Sequence, residues 1–339
     1  MASKNDDTER TETPVPHQQT RGGLLWGAYL IASTLIMTLL LSQIASASTP
    51  PAPSTAQAIQ TPAASFPFGD PPSVAARAAF LFDADTGLIL YAKDANEELP
   101  QASCTKIMTA LVAIERAPLD QVITVGADAH ALVNPDSSYM GLSVGEKLTL
   151  RDLLYGLVLP SGNDAAVAIS DGVAGSVPAF VALMNQRARQ LGLTHTHFEN
   201  PHGLDAPGHY TSAHDLALLA AVALRNPTFR QIVSTRSYNI PATSAHKAYN
   251  LVSGNDLLSG ALSPYPGAIG VKPGYTGPAG FCMAFAAIRH GHLIVGAVLR
   301  DPSWQVRIVD MRALLNWGFE QEGLPPAPSP TPWTRAPNI

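Results

Sequence analysis

Two pairs of strand-like runs bracket a long helical stretch, and that placement narrows the folds open to this chain. At one end AAFLFD (78–83) and LILYAKD (88–94) are joined by the turn sequence ADTG, which predicts a hairpin. At the other, FCMAFAAIR (281–289) and LIVGAVLR (293–300) are joined by HGH, and the helically spaced run 303–321 comes behind Ser303 as its cap. Between them the apolar spacing predicts helices in CTKIMTALVAIERA, halted by Pro118, in LRDLLYGLVL, DAAVAISDGVA and SAHDLALLAAVALR, and in VPAFVALMNQRARQL, closed by Gly192. Strands at both ends and helices in the middle predict an α/β (α+β) unit, with an antiparallel sheet assembled from both chain ends and a helical lobe beside it.

Of the 339 residues, 46% are hydrophobic, enough for a sizeable core. Charged residues are only 14% and the formal net charge is -5, so no basic face is available to grip nucleic acid. Residues 1–23 read as a polar cytoplasmic tail. From Leu24 to Ile44 the run LLWGAYLIASTLIMTLLLSQI carries no charge and has about the length that spans a bilayer as a helix. Arg21 precedes it and no basic residue comes after it until Arg77, so the positive-inside bias places everything beyond the run outside the cytoplasm. Ala45-Ser46-Ala47 also fits a cleavage site, so 24–44 is either a transmembrane segment or a signal sequence, with the remainder secreted if the chain is cut after Ala47. A Pro/Ala/Ser-rich linker is expected at 45–72, one folded unit at 73–322 and a Pro-rich disordered tail at 323–339. The two cysteines, Cys104 and Cys282, lack metal-ligand spacing and can pair only if the fold juxtaposes them.

Three short motifs carry candidate chemistry. In QASCTKIMTA, Ser103 and Lys106 lie one turn apart on one helical face, so the amine reaches the hydroxyl, and backbone amides at a helix N-terminus suit an oxyanion. The apolar residues after Lys106 predict its burial, which lowers a lysine's pKa toward that of a useful base. The plainer alternative is a capping serine and a lysine that snorkels to solvent. The tetrapeptide SGND occurs at 161–164 and 253–256; the first lies between two helices, where Ser161 and Asn163 can project into a cleft, and the second is expected to be a loop or Asx turn. GVKPGYTG (270–277) reads either as a surface turn or, after an apolar run, as a lysine at the edge of an active site.

Ser-x-x-Lys, Ser-x-Asn and Lys-x-Gly, in that order, resemble the signature of the active-site-serine penicillin-recognising enzymes. The stretches FDADTGLILYAKDANEELPQASCTKIMTALVAIE, LLYGLVLPSGNDAAVAIS, FENPHGLDAPGHYTSAHDLALLA and GVKPGYTGPAGFCMAFAA resemble the D-alanyl-D-alanine carboxypeptidase family, the low-molecular-weight penicillin-binding proteins, over roughly residues 73–320. The resemblance implies a serine β-lactamase/DD-peptidase-like fold and a hydrolase that trims peptidoglycan stem peptides. It implies no cofactor and no metal, β-lactams as covalent inhibitors, and a bacterial membrane location through the N-terminal segment. It further implies Ser103 as acylated nucleophile, Lys106 as its proton acceptor, Ser161 as a proton relay to the leaving amine, and Asn163 as the group that holds Lys106 and the substrate amide. Lys272 would meet the terminal carboxylate, with Thr276 and Arg307 beside it. The backbone amides of Ser103 and Tyr275 would form an oxyanion hole.

The chain departs from the family pattern at Pro273, where a threonine or serine is usual; proline removes a hydroxyl and a backbone donor but is tolerated on an edge strand. It also ends soon after its last helix, without the C-terminal β domain and amphipathic anchor of many members, so the N-terminal segment is expected to supply attachment. Cys104 is read as structural. No Glu-x-x-Leu-Asn stretch lies between Ser161 and Lys272, which sets the chain apart from a class A β-lactamase and predicts slow release of bound penicillin. His195, His197 and His202 lack helical His-x-x-x-His spacing and read as loop histidines, and there is no GxSxG elbow. Alternative functions are a D,D-endopeptidase and an inactive wall-binding module.

Overall fold

The computed structural model describes residues 69–133, 137–258 and 264–328; the N-terminal tail, the 24–44 segment, most of the 45–72 linker and everything from 329 lie outside them. Strands β1 (Ala78–Asp83) and β2 (Ile89–Lys93) open the folded unit, ahead of a 3-10 turn (Ala102–Thr105), helix α1 (Lys106–Arg116), β3 (Val122–Thr124), α2 (Ala127–His130) and β4 (Lys147–Thr149). Helices α3 (Leu150–Val158), α4 (Asn163–Ala174), α5 (Val177–Gln190), α6 (Ala213–Leu224) and α7 (Pro227–Val233) build the lobe. The chain then runs through β5 (Ser237–Ile240), β6 (Tyr249–Val252), β7 (Ala268–Thr276), β8 (Gly280–Arg289) and β9 (His292–Asp301) into α8 (Trp304–Gln321).

Both predicted hairpins form, and they meet. The main sheet has the order β2-β1-β9-β8-β7, with Phe80 of β1 opposite Ala297 of β9, so the two ends of the unit are stitched into one antiparallel sheet. Its central strands are apolar without alternation because both faces are covered. On β8, Cys282, Ala284 and Ala286 face the core under the helical lobe, while Met283, Phe285 and Ala287 face a second core under α8. A fully buried side chain of the Phe285 class contributes about 1.5–3 kcal/mol. Local signals set the helix starts: Thr149, Ser176, Ser212 and Ser303 each accept the backbone N–H three residues on.

Three features depart from expectation. GVKPGYTG is neither a turn nor a loop but most of strand β7, at the edge of the sheet, with Pro273 opposite Met283. The short ladders β3–β4 and β5–β6 have no counterpart among the sequence signals, since three or four residues carry too little periodicity. Structure also runs past the tail boundary expected at 322: Arg289 and Arg312 donate to the carbonyls of Pro325 and Pro328, and Ala327 donates to Asn316 at 2.9 Å. Leu324 and Ala327 give this proline-rich segment an apolar footing on α8 that composition alone hides. Among the described residues no single helix is long and apolar enough to cross a membrane.

Candidate active site

Ser103 sits in the 3-10 turn that runs directly into α1, and Lys106 is the first residue of that helix. Every residue of α1 from Lys106 to Ala113 is buried, so the helix is a core element and the lysine cannot snorkel. With 0% exposure, its Nζ lies 3.0 Å from Ser103 Oγ, 2.7 Å from Asn163 Oδ1 and 2.6 Å from the His202 carbonyl. Burial, and then the charge of Lys272, hold the Lys106 amine well below the usual lysine pKa. A neutral amine has two N–H groups and one lone pair. The Asn163 and His202 oxygens can only accept, so they take both hydrogens and leave the lone pair for the Ser103 hydroxyl.

Asn163 is placed by being the first residue of α4. Its amide nitrogen donates to Ser137 Oγ at 2.5 Å. The next residue, Asp164, is fully buried and accepts the backbone N–H groups of Met140, Gly141 and Leu142 at 2.8–2.9 Å, which clamps the loop after Ser137 onto the start of the helix. Ser161 has φ 66° and Ala102, beside Ser103, φ 48°; for residues with a Cβ such torsions cost on the order of 1–3 kcal/mol and concentrate at functional sites. The Ser161 Oγ is buried and without a hydrogen-bond partner among the described residues, so its hydroxyl is left for a group entering the cleft.

The third side of the site is β7. Lys272 is 2% exposed, donates to the Pro273 carbonyl at 3.1 Å, and has its pKa lowered to about 8 by burial, with the Arg307 charge acting the same way. Two glycines let the surrounding chain close on Ser103. A Cβ on Gly274 of β7 would lie 2.9 Å from the Ser103 amide nitrogen, and one on Gly203, at φ +93°, would lie 2.0 Å from the Ala102 carbonyl oxygen. Strand and loop therefore pinch the Ser103 turn from two directions.

The remaining predicted residues also border the cleft, a cavity of about 780 Å³ whose lining includes Ser103, Ser161, Asn163, Lys272, Thr276 and Arg307. Tyr275 lines it too, with its side chain exposed and its ring 4.4 Å from that of Phe281. The Thr276 hydroxyl donates to Asp205 at 2.9 Å and accepts from Ala279 at 3.1 Å. Arg307 is buried, donates to the Cys282 carbonyl at 3.2 Å, and forms a 2.6 Å ion pair with Asp256.

Asp256 belongs to the second SGND copy, so that copy is not remote from the site. Asn255 does form the expected Asx turn, accepting from Leu257 at 3.0 Å, yet Ser253 and Gly254 line the same cavity. Sequence reasoning also missed Ser137, Asp205 and the His202 carbonyl, each contributed by a loop with no motif of its own. Cys104 and Cys282 are free and buried; Cys104 donates to the Lys272 carbonyl at 3.3 Å, and burial pushes its thiol up to about 11. The ring of His202 accepts from Leu204, and burial lowers its pKa to about 3; His197 pairs instead with Glu199, so these loop histidines do not converge.

Known proteins are similar to this chain over its folded unit. The family model described as D-alanyl-D-alanine carboxypeptidase matches residues 66–303. The D-alanyl-D-alanine carboxypeptidase of Streptomyces sp. (strain K15) is 37% identical over 257 residues, covering 73% of this chain and 88% of the relative. DacF of Bacillus subtilis, also a D-alanyl-D-alanine carboxypeptidase, is 35% identical over 249 residues, and the chain spans only 62% of its length. A crystal structure of the Streptomyces K15 DD-transpeptidase superposes with a TM-score of 0.70 at 35% identity, covering 74% of this chain and 100% of that one. An evolved penicillin-binding protein homologue from Mycobacterium tuberculosis gives 0.67 at 32% identity, covering 74% and 94%. With three ordered motifs brought to one cleft, and with matches that span the folded unit, the chain belongs to the D-alanyl-D-alanine carboxypeptidase family.

Proposed function

We propose that the protein is a serine-type D-alanyl-D-alanine carboxypeptidase that removes the terminal D-alanine from peptidoglycan pentapeptide stems through an acyl-enzyme on Ser103. The observation that carries this reading is the Lys106 amine, fully buried, 3.0 Å from Ser103 Oγ, with only acceptors at its other two contacts. Ser103 Oγ attacks the carbonyl of the penultimate D-alanine while its proton passes to Lys106. The backbone amides of Ser103 and Tyr275 stabilise the oxyanion, and Ser161 conducts the proton to the departing amine as the C–N bond breaks. Water then hydrolyses the ester. Lys272 and Arg307 supply positive charge where the substrate's free carboxylate lies, which makes the site a reader of chain ends. β-Lactams acylate the same serine.

The same acyl-enzyme can be resolved by an amine instead of water. This second reading is favoured by the likeness to the Streptomyces K15 enzyme, which is described as a transpeptidase. We further place the 73–322 unit outside the cytoplasm, tethered or exported by residues 24–44. The relatives' activity on the cell wall supports that side of the membrane, and the uncharged run after Arg21 supports the route.

Incubation of the purified protein with a pentapeptide stem, a crosslinked dimer and an added amine acceptor, then mass spectrometry of the products, tests the assignment. Loss of one D-alanine from the pentapeptide, absent in Ser103→Ala, is the expected result. A Ser103-dependent aminolysis product would favour the second reading, and cleavage of the dimer alone would replace both with an endopeptidase. Failure of Ser103 to label with fluorescent penicillin would leave a wall-binding module.

A further inference from the structure

At the end of the main sheet farthest from the cleft, three potential metal ligands converge. Asp83 closes β1, His292 opens β9 and Glu322 comes directly after the last turn of α8. The cleft instead borders Arg307, near the start of α8, and Phe281, which pairs with Asp301 at the other end of β9, so the ten residues of β9, at about 3.3 Å each, separate the two places. One ligand atom from each of Asp83, His292 and Glu322 lies within 4.8 Å of the others. His292 Nδ1 is 3.3 Å from Glu322 Oε2.

Asp83 supplies the independent sign of a missing partner. It is 0% exposed, and its Oδ1 already closes the hairpin turn by accepting the N–H groups of Asp85 and Thr86 at 2.7 and 3.3 Å. Its Oδ2 is buried and, apart from the Glu322 carboxyl itself, has no hydrogen-bond partner among the described residues. A carboxylate oxygen in that position, beside a second carboxylate and an imidazole nitrogen, is served by a cation.

We propose that Asp83, His292 and Glu322 bind one zinc ion. A nitrogen with two carboxylate oxygens suits Zn²⁺, whereas Ca²⁺ requires six to eight oxygens. Bonds of about 2.1 Å place tetrahedral ligands about 3.4 Å apart. The part-exposed side chains of His292 and Glu322, at 39% and 19%, have the freedom to close that distance and leave the fourth position to water. The ion ties β1, β9 and the C-terminal end of α8 together, joining segments 209 and 30 residues apart in sequence (83 to 292, and 292 to 322). Its effect is to stabilise the folded unit by binding the native state alone.

The full chain, purified in detergent and stripped with a chelator, is given one equivalent of Zn²⁺ and passed through gel filtration. About one zinc per chain is expected to remain on the wild type, with a rise in Tm, while His292→Gln and Glu322→Gln each retain at least about tenfold less and show no rise. All three should label fully with fluorescent penicillin, because the ligands lie outside the cleft. Co²⁺ in place of Zn²⁺ should give the wild type the visible absorption of a four-coordinate site, which covers the case of a variant that does not fold. Wild type that holds no zinc, variants that hold it equally well, or cobalt without that absorption would each overturn the site.

Discussion

Ser-Gly-Asn-Asp occurs twice in this chain, and the two copies use the same four residues in opposite ways. In the first, Asn163 turns outward to Lys106 Nζ and Ser137, Asp164 holds the three backbone amides of Met140, Gly141 and Leu142, and Ser161 keeps its hydroxyl for the cleft. In the second, the Asn255 and Ser253 side chains accept from Leu257 and Asn255 of their own loop, while Asp256 reaches out to Arg307. The difference comes from the neighbouring element on the C-terminal side of each copy. α4 begins at Asn163, so a helix fixes the direction of that side chain, whereas Asn255 leads into a turn and satisfies that turn's backbone. A tetrapeptide specifies a local chemistry, and the next element decides where that chemistry points.

The largest expected effect is at the paired asparagines. Asn163→Ala should slow acylation by fluorescent penicillin by about 10²–10³-fold, since the Lys106 amine loses an acceptor that orients it. Asn255→Ala should cost about 1 kcal/mol in a thermal melt and change acylation by less than about threefold. Equal losses of acylation would break the distinction between the copies.

Next comes pH. Lys272, with its pKa lowered to about 8, is a cation below that value and neutral above it, so KM for a stem peptide should rise by about fivefold between pH 8 and pH 9. Acylation should fall at the acid side instead, where Lys106 regains its proton, because its pKa is held below the ordinary lysine value but still separates active base from inert cation. Arginine does not titrate in this range, so the alkaline rise in KM should persist in Asp256→Asn. A flat KM up to pH 10 would remove Lys272 from carboxylate recognition.

Asp256→Asn is expected to be smaller still. It keeps a hydrogen-bond acceptor for Arg307 but removes the competing negative charge, and KM should fall by about threefold with kcat little changed. A large drop in kcat would place the second copy in the catalytic step and erase the contrast. The smallest effect belongs to Pro273→Thr. Thr276 already carries a hydroxyl at the edge of the cavity, and β7 tolerates proline at the sheet edge, so kcat/KM should move by less than about threefold. A large gain would show the natural site to be impaired by its proline.

What could be read from the sequence was what local geometry enforces. Ser103 and Lys106 are one turn apart whatever the tertiary structure, and the apolar run behind Lys106 announces its burial. Asn163 was legible because a helix begins on it. The two-ended sheet was legible because its central strands are apolar on both faces and its outer pair is joined by a turn sequence, while β3 to β6 were too short to show a period. Asp205, Asp256, Ser137 and the His202 carbonyl were hidden because each acts on a partner brought near only by folding, and a carbonyl has no sequence signature at all. Thr276 was found in place, with its proton committed to Asp205, a direction that spacing cannot reveal.

The pinch of Gly203 and Gly274 on the nucleophile turn bears on how this protein can evolve under antibiotic pressure. Any side chain at either position collides with backbone at or next to Ser103, on which, under the proposed mechanism, acylation by drug and by substrate alike depends. Narrowing the entrance there to exclude a β-lactam would therefore disable the enzyme too. Escape variants should instead collect at the open rim, around Asp205, Tyr275 and Ser253, where a changed side chain meets the inhibitor before it meets the machinery.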